Sequence, residues 1–245
     1  VRSLRALWRL LRALVHALAG WLTIALAFPR WSQQRRDAAV QAWALRMLRI
    51  LGIPLHVQGP APAQGPVLLV SNHLSWLDIL VMHAARHCRF VSKADVKHWP
   101  LIGTLATGAG TLYIEREKRR DAMRVVHHMA ESLKAGDIVA VFPEGTTGDG
   151  SALLPFHANL FQAAISAGSP VQPVALRFVD RTTGRDSGSP LYVGDDTLLG
   201  SLWRTLVGRP FVAHVRFGAP QQADGRERRQ WADDLREAVE ELRRT

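Results

Sequence analysis

The sequence predicts an α/β fold: a layered domain with helices covering a central, mostly parallel or mixed sheet, behind a pair of N-terminal helices. Three observations predict it. Strand-like and helix-like segments alternate through most of residues 55 to 178. The two most polar loops, after Val70 and after Phe142, follow apolar runs, and functional loops of such folds sit at the carboxyl ends of strands. Ahead of both, two arginine-bearing stretches carry apolar residues at helical spacing. The predicted boundaries are 1–52 for the membrane-associating helices and 53–245 for the main domain, with 180–210 as a variable insertion over the core.

At 245 residues the chain accommodates one large domain and an appendage. Its 31 Lys and Arg against 21 Asp and Glu give a formal charge of +10, which suits a polyanionic partner. No zinc finger, RNA-binding aromatic signature or unbroken basic tract is present, so nucleic acid is the weakest of the anionic partners. The single cysteine, Cys88, excludes an intramolecular disulfide and a cysteine-rich metal site.

In chain order, Arg2, Arg5, Arg9 and Arg12 recur at helical spacing beside leucines, and Ala13 to Phe28 carries no formal charge before Pro29 closes the run. Sixteen helical residues reach about 24 Å, short of a ~30 Å hydrocarbon core. A second stretch, Ala38 to Leu51, gathers Val40, Trp43, Met47, Ile50 and Leu51 on one face. The two together favour a helical hairpin seated on an anionic bilayer surface over a cleaved signal, with a single span as the competitor.

After Gly52-Ile53-Pro54 come a short strand at 55–57, a Pro/Gly turn region at 59–66 and a strand at 67–70 that enters the motif discussed below. A helix to about Arg86, a strand at 89–91, a short helical or irregular stretch at 96–105 and a strand at 111–114 follow. A charged helix spans about Arg119 to Lys134, with Met123, Val126, Met129 and Leu133 as its buried stripe. Then come strand 138–142, the loop Pro143 to Gly150, helix 156–167 and strand 171–178, whose internal Pro173 predicts an edge or strand-start position. A last strand at 211–217 and a charged helix at 227–244 complete the chain.

The motif is Asn72-His73-Leu74-Ser75-Trp76-Leu77-Asp78. A strand delivers His73 to a turn, and Asp78 falls in the first turn of the next helix, within reach of one ring nitrogen. That would fix the tautomer and leave the other nitrogen to take a proton. A histidine that merely caps a strand end has the same signature. No Gly-x-Ser-x-Gly elbow, His-Glu-x-x-His pair or nucleotide-binding glycine pattern occurs. A base acting on a hydroxyl brought by the substrate remains.

Four segments then resemble, in order, the motif blocks of the glycerolipid acyltransferases of the lysophosphatidic acid type. They are Asn72 to Asp78, Gly110 to Arg116, Phe142-Pro143-Glu144-Gly145-Thr146, and Val171-Gln172-Pro173-Val174-Ala175. The resemblance implies a layered glycerolipid-acyltransferase-like domain on the cytoplasmic face of a bacterial inner membrane. His73 would deprotonate the hydroxyl of a lysolipid and Asp78 would orient it. Arg116 would bind the acceptor phosphate, with Lys93 as a second candidate, and Glu144, Gly145 and Thr146 would place the glycerol and phosphate part. The donor would be acyl-CoA or acyl-carrier protein, and the scheme requires no metal or prosthetic group. Where many members have Arg after the block III Thr, this chain has Thr147. A Glu-Gly-Thr-Thr loop also resembles lyso-ornithine lipid acyltransferases, whose acceptor carries no phosphate. Two other readings stay open: a lipid-binding protein without catalysis and a thioesterase-like hydrolase.

Overall fold

The computed structural model describes residues 2–114 and 119–244. Helix α1 (Arg2–Leu26) runs into a 3₁₀ turn, Phe28–Arg30, that starts with Pro29. Helix α2 (Gln33–Leu51) begins five residues before the predicted start because the Ser32 side chain caps it, accepting from Arg35 N. It ends at Gly52, whose left-handed φ of 77° suits glycine.

The strands are β1 (Leu55–Gln58), β2 (Val67–Ser71), β3 (Arg89–Lys93), β4 (Leu112–Ile114), β5 (Ile138–Val141), β6 (Val171–Asp180) and β7 (Phe211–Phe217). Among the described residues they form one sheet in the order β1-β7-β6-β2-β5-β3-β4. From β6 to β4 every neighbour is parallel; β7 runs antiparallel to β6, and β1 parallels β7. The sheet is therefore mixed and mostly parallel, as the sequence predicts. Helices α3 (Leu77–Ala85), α4 (Ile102–Gly108), α5 (Arg119–Lys134), α6 (Phe161–Ala167), α7 (Leu198–Val207) and α8 (Arg228–Arg244) complete the chain.

Two apolar layers enclose the sheet. Val67 and Leu69 of β2, with Val174, Leu176 and Phe178 of β6, pack with α2 and α3 on one face. Leu68 and Val70 pack with α5, α6 and α8 on the other, around the fully buried Trp231 and Phe161. Every residue of β2 is buried, as expected of a central parallel strand.

Pro173 departs from the sequence expectation: β6 is an interior strand, between β7 and β2. The physical reason is a side-chain substitute. Gly218 N donates to Pro173 O at 2.9 Å, but proline has no N–H to return to the Gly218 carbonyl. Gln172 Nε2 donates there instead, at 2.7 Å, and also to Pro60 O at 2.9 Å.

The stretch 180–210 also holds more order than its composition suggests. β6 extends to Asp180, and α7 lies within the stretch, its Thr197 side chain accepting from Gly200 N.

Candidate active site

Because β2 and β5 are adjacent and parallel, the two polar loops that follow them emerge side by side at one end of the sheet. The first loop carries His73 and the second Glu144. Two bonds stitch them together: His73 N donates to Glu144 Oε1 at 2.8 Å, and Gly148 N donates to His73 O at 2.8 Å.

His73 Nδ1 donates to Asp78 Oδ2 at 2.7 Å. The same carboxylate oxygen accepts from Leu74 N at 2.6 Å and Ser75 N at 2.9 Å, so Asp78 holds the turn ahead of α3 and the histidine at once. Asp78 is wholly buried, and its Oδ1 has no partner among the described residues. The His73 ring stacks on Phe142 with centroids 3.9 Å apart and planes 5° from parallel. Phe142 stacks in turn on Phe90. With Nδ1 committed, His73 presents Nε2 as the free lone pair on a side chain that keeps 19% of its surface exposed.

Glu144 lies deeper than a substrate contact would. It is 6% exposed, and its second oxygen, Oε2, accepts from Leu154 N at 2.9 Å. Burial raises its carboxyl above the usual range, against the lowering effect of the Leu154 and His73 amides. Both oxygens thus brace backbone, one of them directly beneath the histidine.

Gly145 takes a left-handed φ of 74°, and a Cβ there would come within 2.8 Å of His157 Nε2, so no other residue fits without displacing that ring. Thr146 is exposed. Lys93 is exposed at the end of β3, paired with Ile114 of β4, and β5 separates it from the strand that delivers His73. Arg116 lies outside the described residues. The structure therefore gathers His73, Asp78 and the Glu144–Thr146 loop into one cluster and sets Lys93 at its flank.

Several motif residues have distant partners that no local sequence pattern specified. Asn72 bridges to β6 in both directions, donating to Leu176 O at 3.0 Å and accepting from Leu176 N at 2.8 Å. Ser75 Oγ donates to Pro190 O at 2.6 Å, and Tyr192 N donates to Leu74 O at 3.0 Å. The Thr147 hydroxyl donates to the Tyr192 carbonyl. The segment around residues 190–192 is thereby bound to both sheet-end loops. A groove of about 260 Å³ lies beside them, walled by Leu74, Gly150, Leu176, Phe178, Leu191 and Arg243. His73 does not line that groove.

A histidine oriented by a buried carboxylate and open at its other nitrogen suits proton abstraction from a hydroxyl. Residues 53–177 match the Acyltransferase family model. The chain is 37% identical over 240 residues to the lyso-ornithine lipid O-acyltransferase of Pseudomonas aeruginosa, covering 98% of this chain and 91% of that one. It is 38% identical to the 1-acyl-sn-glycerol-3-phosphate acyltransferase of Neisseria gonorrhoeae, covering 83% and 80%. The fold matches the crystal structure of the 1-acyl-sn-glycerophosphate acyltransferase PlsC of Thermotoga maritima with a TM-score of 0.74 at 20% identity, covering 99% and 98%. The sheet-end cluster around His73 sits inside the matched segment, and the chain belongs to the Acyltransferase family.

Proposed function

We propose that the protein transfers a fatty acyl group from an acyl thioester, acyl-CoA or acyl-carrier protein, to the free hydroxyl of a lysolipid. The observation that carries this reading is the His73–Asp78 pair: Nδ1–H fixed at 2.7 Å on a buried carboxylate, with Nε2 left to act. His73 Nε2 takes the hydroxyl proton as the substrate oxygen attacks the thioester carbonyl. The C–S bond breaks, and the departing thiolate takes the proton back from the imidazolium. No enzyme nucleophile is needed; Ser71 and Ser75 are both buried, and the Ser75 hydroxyl is committed to Pro190 O.

The first reading of the acceptor is 1-acyl-sn-glycerol-3-phosphate, giving phosphatidic acid, with Arg116 and Lys93 as phosphate ligands. Thr147 favours the second, a lyso-ornithine lipid. Thr147 is uncharged, its hydroxyl donates to the Tyr192 carbonyl, and the Gly148-Asp149-Gly150 that follows supplies no cation for a phosphate. The Pseudomonas relative that covers nearly the whole chain carries the lyso-ornithine name.

We also infer that α1 and α2 seat the enzyme on one leaflet, on the cytoplasmic face of the inner membrane. Helix α1 is long and apolar enough to cross a bilayer. Yet it touches the rest of the protein repeatedly, from Arg9 over Gly52, through the His16–Trp43 stack, to Ile24 against Gly108. Those contacts span fifteen residues, or roughly 22 Å of helix, which a perpendicular span would forfeit.

Purified enzyme assayed with one thioester donor and each lysolipid in turn tests the function. Turnover of the phosphate acceptor supports the first reading, and turnover of the ornithine lipid alone replaces it with the second. Thiol release that needs no acceptor would make the protein a hydrolase. His73→Ala should lower kcat by about 10³-fold with the fold retained; full activity would remove the base.

A further inference from the structure

Helix α7 carries large apolar side chains on its outward face as well as its inward one. Ser201, Thr205 and Leu206 face inward, 0%, 7% and 7% exposed, whereas Leu199 and Trp203 point outward, 77% and 39% exposed. The inward hydroxyls are satisfied within the protein. Thr205 Oγ1 donates to Ser201 O at 2.8 Å, and Ser201 Oγ accepts from Trp76 Nε1 at 3.1 Å. A water-facing helix keeps its outward side polar; large apolar side chains there suit an apolar medium outside.

α1 shows the same outward apolar face. Ala6, Ala13, Ala17 and Gly20 face the protein, while Leu11, Leu14 and Leu18 are about half exposed. α7 packs directly against α1, so the two outward apolar faces adjoin. Tryptophan flanked by leucine is also the pairing that settles at a bilayer interface, with its ring body in hydrocarbon and its N–H near water.

We propose that α7 is a second lipid-immersed element, with Leu199 and Trp203 entering the same leaflet as α1. This second contact presupposes the membrane seating proposed above. It brings the bilayer to within one hydrogen bond of the catalytic motif, because Ser201 on α7 holds Trp76, the residue just ahead of α3. A lysolipid would then move from the leaflet to His73 along α7 without crossing water.

The test places an environment-sensitive fluorophore on the full-length chain through Leu199→Cys or, separately, Leu18→Cys; the native Cys88 is buried and does not compete for label. Vesicles of phosphatidylethanolamine and phosphatidylglycerol are added, with or without nitroxide-labelled acyl chains. Blue-shifted emission and quenching at both sites are expected. A shift at 18 without one at 199 would overturn the α7 contact and leave the hairpin seating intact. A shift at 199 alone would remove α1 from the leaflet and overturn the shared seating on which the proposal rests. Failure at both sites, with no co-flotation, would sink both. A vesicle-independent shift that grows with protein concentration would assign the face to a second copy and overturn the proposal. Unlabelled protein gives an independent check: replacing Leu199 and Trp203 with Gln should weaken vesicle partitioning roughly tenfold, and unchanged partitioning would refute the contact.

Discussion

At the residue scale, Asp78 and Glu144 divide the work of holding His73. Asp78 sets the ring through Nδ1, and Glu144 sets the backbone through the amide of the same residue. The two act on different degrees of freedom, so they fail differently. In Glu144→Gln the side-chain oxygen keeps one amide, but the NH₂ group then faces the other N–H. A buried donor pair of that kind costs about 1–3 kcal/mol. We expect denaturant unfolding to show that loss, with kcat falling more than KM rises as the His73 loop loosens. A variant with wild-type stability and kcat would return Glu144 to a role in contacting substrate.

At the element scale, β6 shows how a strand with a proline survives at the centre of a sheet. The missing N–H falls opposite Gly218, and the Gln172 amide supplies the replacement bond while also clasping Pro60 beyond β1. Gln172→Leu keeps the size of the side chain and removes both donations. Urea unfolding should fall by about 1 kcal/mol, since two carbonyls outside the buried core lose a partner; an unchanged midpoint would show that β6 holds without the clasp. α2 and α3 form another such unit. Gln41 Nε2 donates to Ala85 O at 3.1 Å, and His87 pairs with Asp37 at 3.2 Å, so the hairpin rides on the C-terminal end of α3 and the turn after it.

At the scale of the whole molecule, this seam sets a pH limit on the fold. His83 is buried between His87, stacked at 5.2 Å, and Phe90, and burial lowers its pKa to about 3, with the neighbouring His87 adding to the effect. Its unfolded value is near 6.5, so the folded state resists the proton that the unfolded chain accepts. Stability from this residue is fully present above pH 6.5 and is lost progressively as pH falls toward 3. His83→Phe should therefore flatten the decline in unfolding free energy between pH 6 and 4, followed by circular dichroism. An equal slope in both proteins would remove His83 as the source.

The sequence by itself determined the layered α/β class, most of the strand order along the chain and the pairing of His73 with Asp78. All of these follow from local periodicity or from a five-residue gap across one turn. Tertiary structure alone decided what braces the pair. Glu144 is 71 residues from His73, Asn72 is 104 from Leu176 and Ser75 is 115 from Pro190, and no local pattern specifies such partners. It also decided that α7 faces outward. Ten residues of mixed Leu, Ser, Thr and Trp show which sides differ, but only the packing of Ser201 and Thr205 against the loops beside His73 shows which side is in.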